Sequence, residues 1–396
     1  MRRLISIRLA HRLAILALSV TLPFLALIVW LVETGINSSI TAAEWEVKGN
    51  AFLRPLEHLL YIIPQRYVAV KTRPSEIGAI DKEIDQAFVD LDHVADLHGG
   101  DLHFTSEDLE ARDDGRLRVS LVRDRWRTLT AKDLDPEGYE RIVADLQAMM
   151  SYAGDTSNLT ADPDLDSAYL IDVTLRALPQ LEARLGSLLR EALPLPETVG
   201  LAEETPTRKR GVDLAAVKTE GLRRIDRDVR TMVVEDEKFY GLHVPLHVLV
   251  AEEWKQVAKA TEAFIHLSEQ NPPASAEDLI KAGKTAREVC HHFWTTSIEQ
   301  VDQLLVTRMK AYERKRARIW FGAGLMVLFA GAVGWRLGEK IEAEQRGTVR
   351  AAPAPVPVET VEDPVEEPSS PDWPAWSTSR PVDRVRIDSL PPQKNE

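Results

Sequence analysis

The amino-acid sequence predicts an all-α protein: an up-and-down helical bundle between two transmembrane helices, followed by a disordered C-terminal tail. Three observations predict it. Two long uncharged runs lie towards the ends of the chain, and the region between them carries apolar residues at helical spacing. The final fifty residues, Gly347 to Glu396, lose that spacing and turn rich in proline, serine and acid.

The first run, Leu13 to Val32, has twenty residues and no charge. At about 1.5 Å per residue it crosses the roughly 30 Å hydrocarbon core of a bilayer. Pro23 in its middle is tolerated, because membrane helices accept proline better than soluble ones. Arg2, Arg3, Arg8 and Arg12 precede the run and direct the N-terminus to the cytoplasm. A cleaved signal sequence, with Thr41-Ala42-Ala43 as a small-residue site, is the competing reading. The apolar run exceeds the roughly 7–15 residues of a signal core, which favours a retained span.

The second run, Ile319 to Trp335, has seventeen residues between Arg318 and Arg336, and snorkelling arginines extend it. Gly322, Gly324, Ala330, Gly331 and Gly334 give it small faces suited to close packing by another helix. Arg314, Lys315, Arg316 and Arg318 lie on the outer side in this topology, against the positive-inside tendency. That tendency is weak for long translocated domains, so both termini are expected inside.

Between the runs, the apolar stripes Ile142/Leu146/Met149, Leu178/Leu181/Leu185/Leu188 and Ile298/Val301/Leu304/Leu305 have helical periodicity and read as bundle core. Turn chemistry predicts breaks at His98-Gly99-Gly100, Asp113-Asp114-Gly115, Asp135-Pro136-Glu137-Gly138 and Asn271-Pro272-Pro273. The longest connection, Pro194 to Gly211, leaves open one bundle with a loop or two stacked bundles. The first and last helices are expected to run continuously out of the membrane. The organisation read from this is 1–12 cytoplasmic, 13–32 span, 33–318 extracytoplasmic domain, 319–335 span and 336–396 cytoplasmic tail. Trp373, Trp376 and the stretch Arg384 to Leu390 stand out in that tail as a short docking motif or as ordinary solvated chain.

Composition limits the chemistry. A formal net charge of −13 argues against nucleic acid as a partner. A single cysteine, Cys290, allows neither an internal disulfide nor a cysteine metal cluster. His243 and His247 are four apart, but Pro245 stands between them and no third ligand is fixed by spacing. Cys290, His291 and His292 are consecutive and share no helical face. With no phosphate-binding glycine loop and no nucleophile–base arrangement, neither catalysis nor a metal or cofactor is expected.

Ligand recognition has two sources in the residues. Arg54 and Arg66 are twelve apart, a little over three turns, and share one face if the helix survives Pro55 and Pro64. As bidentate donors they suit a carboxylate or another small anion, or else they pair with acids of the bundle. Asp155, Thr156, Ser157 and Asn158 form a polar break that either binds a polar ligand or satisfies backbone groups at a helix junction. Asp162, Asp164 and Asp166 alternate as in a calcium loop, but the glycine and glutamate such a loop needs are replaced by Ser167 and Val173. Helix initiation is the stronger reading, with Asp162 as N-cap and Pro163 at the first helical position.

The stretch from Gly154 to Leu170, GDTSNLTADPDLDSAYL, resembles a signature of the extracytoplasmic sensor region of bacterial methyl-accepting chemotaxis proteins and hybrid histidine kinases. Phe52-Leu53-Arg54-Pro55-Leu56, Leu178-Pro179, and Leu304-Leu305 leading to Arg318 are similar to further segments of that family, in the same order. Gln65-Arg66-Tyr67 replaces the His-Arg-Gly element common there, and no signalling module is read after Trp335. The resemblance implies a small-molecule sensor, here working through a separate receptor or kinase partner, and the glycine-bearing second span with the long membrane-proximal helices suits a homodimer. The candidate ligand set is Arg54, Arg66, Asp155, Thr156, Ser157, Asn158, Asp162, Asp166 and Tyr169. An envelope scaffold or a regulatory subunit of a receptor complex is the alternative.

Overall fold

The computed structural model describes residues 19, 21–130, 135–193, 204–240, 246–270 and 274–350. Every regular element among them is helical. The expected cytoplasmic N-terminus, most of the first span and the tail beyond Arg350 lie outside the described residues, as do Pro194 to Leu201 and Asn271-Pro272-Pro273.

Helix α1 runs Thr21–Thr72 without a break, through a π-helical stretch at Val32–Asn37. It keeps Pro55 and Pro64 inside it. Each proline removes one backbone donor. The helix is held across both by burial of Phe52, Leu53, Leu56, Leu59, Leu60, Ile63 and Tyr67 along its length. Against it pack α2 (Ile77–His98), α5 (Pro136–Thr156) and α7 (Leu178–Glu191); short α3 (Ser106–Ala111) packs on the turn Gly115–Leu117, and α4 (Val119–Thr130) bridges α2 and α5. Short α6 (Leu165–Asp172) leads into α7 through a π-turn at Val173–Ala177. Then come α8 (Glu204–Ala216), α9 (Arg224–Glu235) and α10 (Ala251–Ser268), and finally α11 (Ala276–Arg350).

The predicted breaks fall where local chemistry stops a helix. Helix α2 ends at His98 before Gly99-Gly100, and α5 begins at Pro136, whose missing N–H costs nothing in a first turn. In Asp113-Asp114-Gly115 the left-handed residue is Asp113, at φ 63°, rather than the glycine. Ser275 caps α11 by accepting the Asp278 N–H at 3.0 Å.

All three predicted stripes are buried. They belong to one large hydrophobic cluster running from Phe52 to Leu305, which is the main core of the bundle. A second, smaller cluster lies where the long helices leave that core. Val32, Ile36 and Ile40 of α1 are buried there against Met309, Tyr312 and Ile319 of α11. Beyond it both helices expose their apolar residues, including Phe24, Leu27 and Trp30 on α1 and Phe321, Leu328 and Phe329 on α11. Both are long and apolar enough to cross a membrane, with only 17% and 6% of their apolar windows buried. A core helix of a soluble protein would hide that surface, so these segments are not core.

The chain divides into a unit Met1–Gly338, which holds all the packing described above, and a unit Glu339–Glu396. Of the second unit the described residues include only the end of α11, to Arg350.

Candidate functional site

Helices α1 and α11 run antiparallel, and polar groups join them at intervals. From the far end towards the apolar segments, Arg287 donates to the Tyr61 carbonyl at 2.6 Å and His291 pairs with Glu57. Arg54 then pairs with Asp302, which also accepts from Asn50 Nδ2 at 2.7 Å. The last rung joins Arg308 to Glu46 at 3.2 Å.

That last rung is where the distinctive stretch 154–170 docks. Gly154, near the end of α5, lets Leu175 come so close that a Cβ would lie 2.2 Å from it. Ser157 is fully buried against Gly49 of α1, where a Cβ would meet the Ser157 Oγ at 2.0 Å. Asn158 reverses the chain at φ 68°, a left-handed conformation that asparagine tolerates better than most residues. Leu159 plugs into the core.

The N-cap expectation needs correcting here. Helix α6 starts at Leu165, its N-cap is Asp164, and no side chain caps it. Asp162 instead accepts the Asp164 N–H at 2.9 Å in an Asx-type turn. Its other interactions, like those of Asp164, go to a cation.

That cation is Arg308. Its Nη2 lies 2.9 Å from Asp162 Oδ1, its Nε 2.7 Å from Asp164 Oδ2, and its Nη1 3.2 Å from Glu46 Oε2. Nη2 also donates to Ser167 Oγ. Asn158 Nδ2 reaches the second Glu46 oxygen at 3.4 Å. The Arg308 side chain is 11% exposed, that of Glu46 2% and that of Asp162 0%, so two carboxylates and the guanidinium lie almost out of water, while Asp164 is 30% exposed. Burial and the neighbouring Asp162 push the Glu46 carboxyl up to about 7. Asp166, buried beside the cage and accepting the Ser167 N–H at 2.7 Å, is also pushed up by burial.

The other predicted ligand residues do not join this cage. Arg66 turns towards α2 and α5, where it pairs with Asp81 and donates to the Tyr139 hydroxyl at 3.0 Å. Arg54 faces α11 and borders a cleft of about 250 Å³ with Glu57, His58, His291 and Thr295. Although α1 survives both prolines, the two arginines therefore serve different partners. Tyr169 lines another cleft, of about 210 Å³, with Asp172, Arg224 and Arg227. Thr156 donates to the Tyr152 carbonyl at 2.8 Å, and Asp155 is exposed. Asn158 also borders an open groove with Asn37, Thr41 and Trp45.

The core also contains a buried ion pair, Arg287–Glu182 at 2.7 Å. Cys290 lies beside it, and burial pushes its thiol up, away from the reactive thiolate. His291 stacks on Tyr61 with ring centroids 3.8 Å apart. Among the described residues no group of three acidic, histidine or cysteine side chains is placed to hold a metal. His243 and the side chain of His247 lie outside the described residues.

Comparison of the chain with protein-family models, with curated proteins and with solved structures finds no match.

Proposed function

We propose that this chain is a membrane-anchored, chemoreceptor-like sensory protein that binds a small ligand outside the membrane and signals through a separate partner. One observation carries the reading. The two helices that run on into the apolar segments are the same two that the Arg308 cage ties together, through a loop belonging to the folded core. A rearrangement in the core that alters this tie moves the helices relative to each other, and both continue into the spans. In this reading the chain sits in a bacterial inner membrane with both termini cytoplasmic and the core periplasmic. It forms a homodimer through its glycine-bearing second span, where Gly322, Gly324, Gly331 and Gly334 have open space at the Cβ position. The cleft beside Arg54 is the ligand site, with Arg54 exchanging Asp302 for a carboxylate or another small anion.

A thermal-shift screen of the full chain in nanodiscs, against small carboxylates and inorganic anions, tests this. A ligand at about 100 times its Kd adds roughly 2.7 kcal/mol of stability, and Arg54→Ala should abolish the effect. A well-folded protein that responds to none of them would overturn the ligand assignment. One observation favours the alternative of a scaffold or a regulatory receptor subunit: Arg54 and Arg66 are already paired with acids of the bundle. Co-purification with a full-length receptor, undiminished by removal of the tail, would support the subunit form.

A further inference from the structure

We propose that the carboxylate cage around Arg308 is a proton-binding site, and that Glu46 is the group that takes up the proton to switch the tie between α1 and α11. The role of such a site in signalling rests on the sensory reading above; the site itself rests on the geometry of the cage.

The argument begins with charge. Arg308 supplies one positive charge to Glu46, Asp162 and Asp164, which come from α1 and from the loop before α6. With all three acids ionised the cage carries two uncompensated negative charges, and two of its acids, Glu46 and Asp162, are out of water, which is costly. The groups facing Glu46 are Asp162, Asp164 and Asn158 from the loop and Arg308 from α11, with Tyr312 close behind on α11. Asp166 from α6 adds a further buried acid next to Arg308 and Asp164. Asp162 has its whole carboxylate engaged, by Arg308 and by the Asp164 N–H, and Asp164 is 30% exposed. Of the three acids that Arg308 holds, Glu46 is a buried one and has the longest contacts, at 3.2 Å to Arg308 and 3.4 Å to Asn158, so the cage discharges most readily there.

The consequence is mechanical. Ionised, Glu46 forms a charge-assisted bond to Arg308 and links α1 directly to α11. Protonated, it becomes a donor, and the loop carboxylate acting on it most strongly is Asp162. Proton uptake thus moves the hold of α1 from α11 to the loop, while Arg308 keeps Asp162 and Asp164. The midpoint is expected near pH 7, where burial and Asp162 hold the Glu46 carboxyl.

The test uses the full chain in nanodiscs with spin labels on cysteines introduced at the exposed positions Thr41 and Ala311, the native Cys290 being buried. The distance between labels should change between pH 5.5 and 8.5 with a single midpoint near pH 7. Glu46→Gln should remove the transition and hold the acidic-side distance throughout. Asp162→Asn should lower the midpoint by about one unit, since a neighbouring anion raises a carboxyl's pKa. This second variant decides the matter if Glu46→Gln fails to fold. A wild-type distance that does not change with pH, or a transition surviving unchanged in Glu46→Gln, would overturn the proposal. A pH-driven transition in a chain that binds no small anion and engages no receptor would leave the proton site standing and remove the sensory reading.

Discussion

Two buried charged groups join α11 to the rest of the bundle, and they are built on opposite principles. Near the middle of the core, Arg287 and Glu182 form a one-to-one pair, and the arginine's remaining reach goes to the Tyr61 carbonyl. Near the apolar segments, Arg308 faces three carboxylates, two of them on a loop. The balanced pair gives one cation to one carboxylate and fixes how the helices sit. The unbalanced cage holds its charge only while protons are scarce. The difference separates a structural tie from an adjustable one, although both are arginine–carboxylate contacts.

The largest expected effect breaks the structural tie. Arg287→Ala strands Glu182, whose side chain is fully buried, and should cost about 3–5 kcal/mol in denaturant unfolding. Replacing both partners with leucine or methionine should restore most of that stability, because no buried charge is left unpaired. If the double variant were as unstable as the single one, packing around the pair would matter more than its charge.

The cage should respond differently to the same surgery. Arg308→Ala leaves three acids without their cation, but Glu46 can relieve part of the strain by holding its proton. The loss should therefore depend on pH, at about 1–3 kcal/mol near pH 8 and less near pH 5.5. Wild-type stability follows the same sign. The folded Glu46 carboxyl is held at about 7, above its unfolded value of 4.5, so the folded state binds the extra proton between those limits. Stability from this group rises as pH falls from about 7 towards 4.5 and is lost as pH rises through 7. Thermal melts of wild type and Glu46→Gln across this window should diverge as pH rises, with the variant the flatter. Parallel curves would mean that Glu46 does not titrate there.

How much of this was legible in the sequence depends on the kind of signal. Helix positions follow from periodicity and turn residues, both local, which is why the stripes through Leu146, Leu185 and Val301 are buried as read. The long apolar segments follow from composition alone. The cage was half visible. Asp162 stood out in an unusual run of acids, but its partners lie 116 residues upstream, at Glu46, and 146 downstream, at Arg308, separations taken from their numbering. One signal for those partners was available. Ile298, Val301 and Leu305 set a core stripe whose next position is Arg308, and Leu60, Leu53 and Gly49 set one on α1 that continues back to Glu46. A charge at a core position of a long helix asks for a counter-charge, and alternating acids in a loop supply one. The N-cap reading of Asp162 failed because the side chain had this stronger electrostatic partner, leaving α6 to begin two residues later.

The geometry of the loop offers a smaller test of whether the cage needs its support. Gly49 is the point where α1 approaches Ser157 most closely, and a methyl group there would overlap the Ser157 side chain. Gly49→Ala should cost about 1–3 kcal/mol, because the loop carrying Asn158 and Asp162 must retreat from α1. The clash is with a side chain, so adding Ser157→Gly should recover much of the loss. Asn158 to Asp162 would then return to their places beside Glu46.

The smallest expected effect belongs to the exposed end of the ladder. Arg54 and Asp302 pair at the border of the 250 Å³ cleft, and the arginine side chain is 45% exposed. Solvent screens such a pair, so Arg54→Ala should change stability by no more than about 1 kcal/mol. Asn50 still donates to Asp302 in the variant and keeps it from being stranded. A near-neutral result marks Arg54 as a residue the fold can spare, which is what a ligand-exchanging arginine requires. A loss as large as that at Arg287 would make it a second structural tie, and the cleft beside it would then be a gap in the packing rather than a place for an anion.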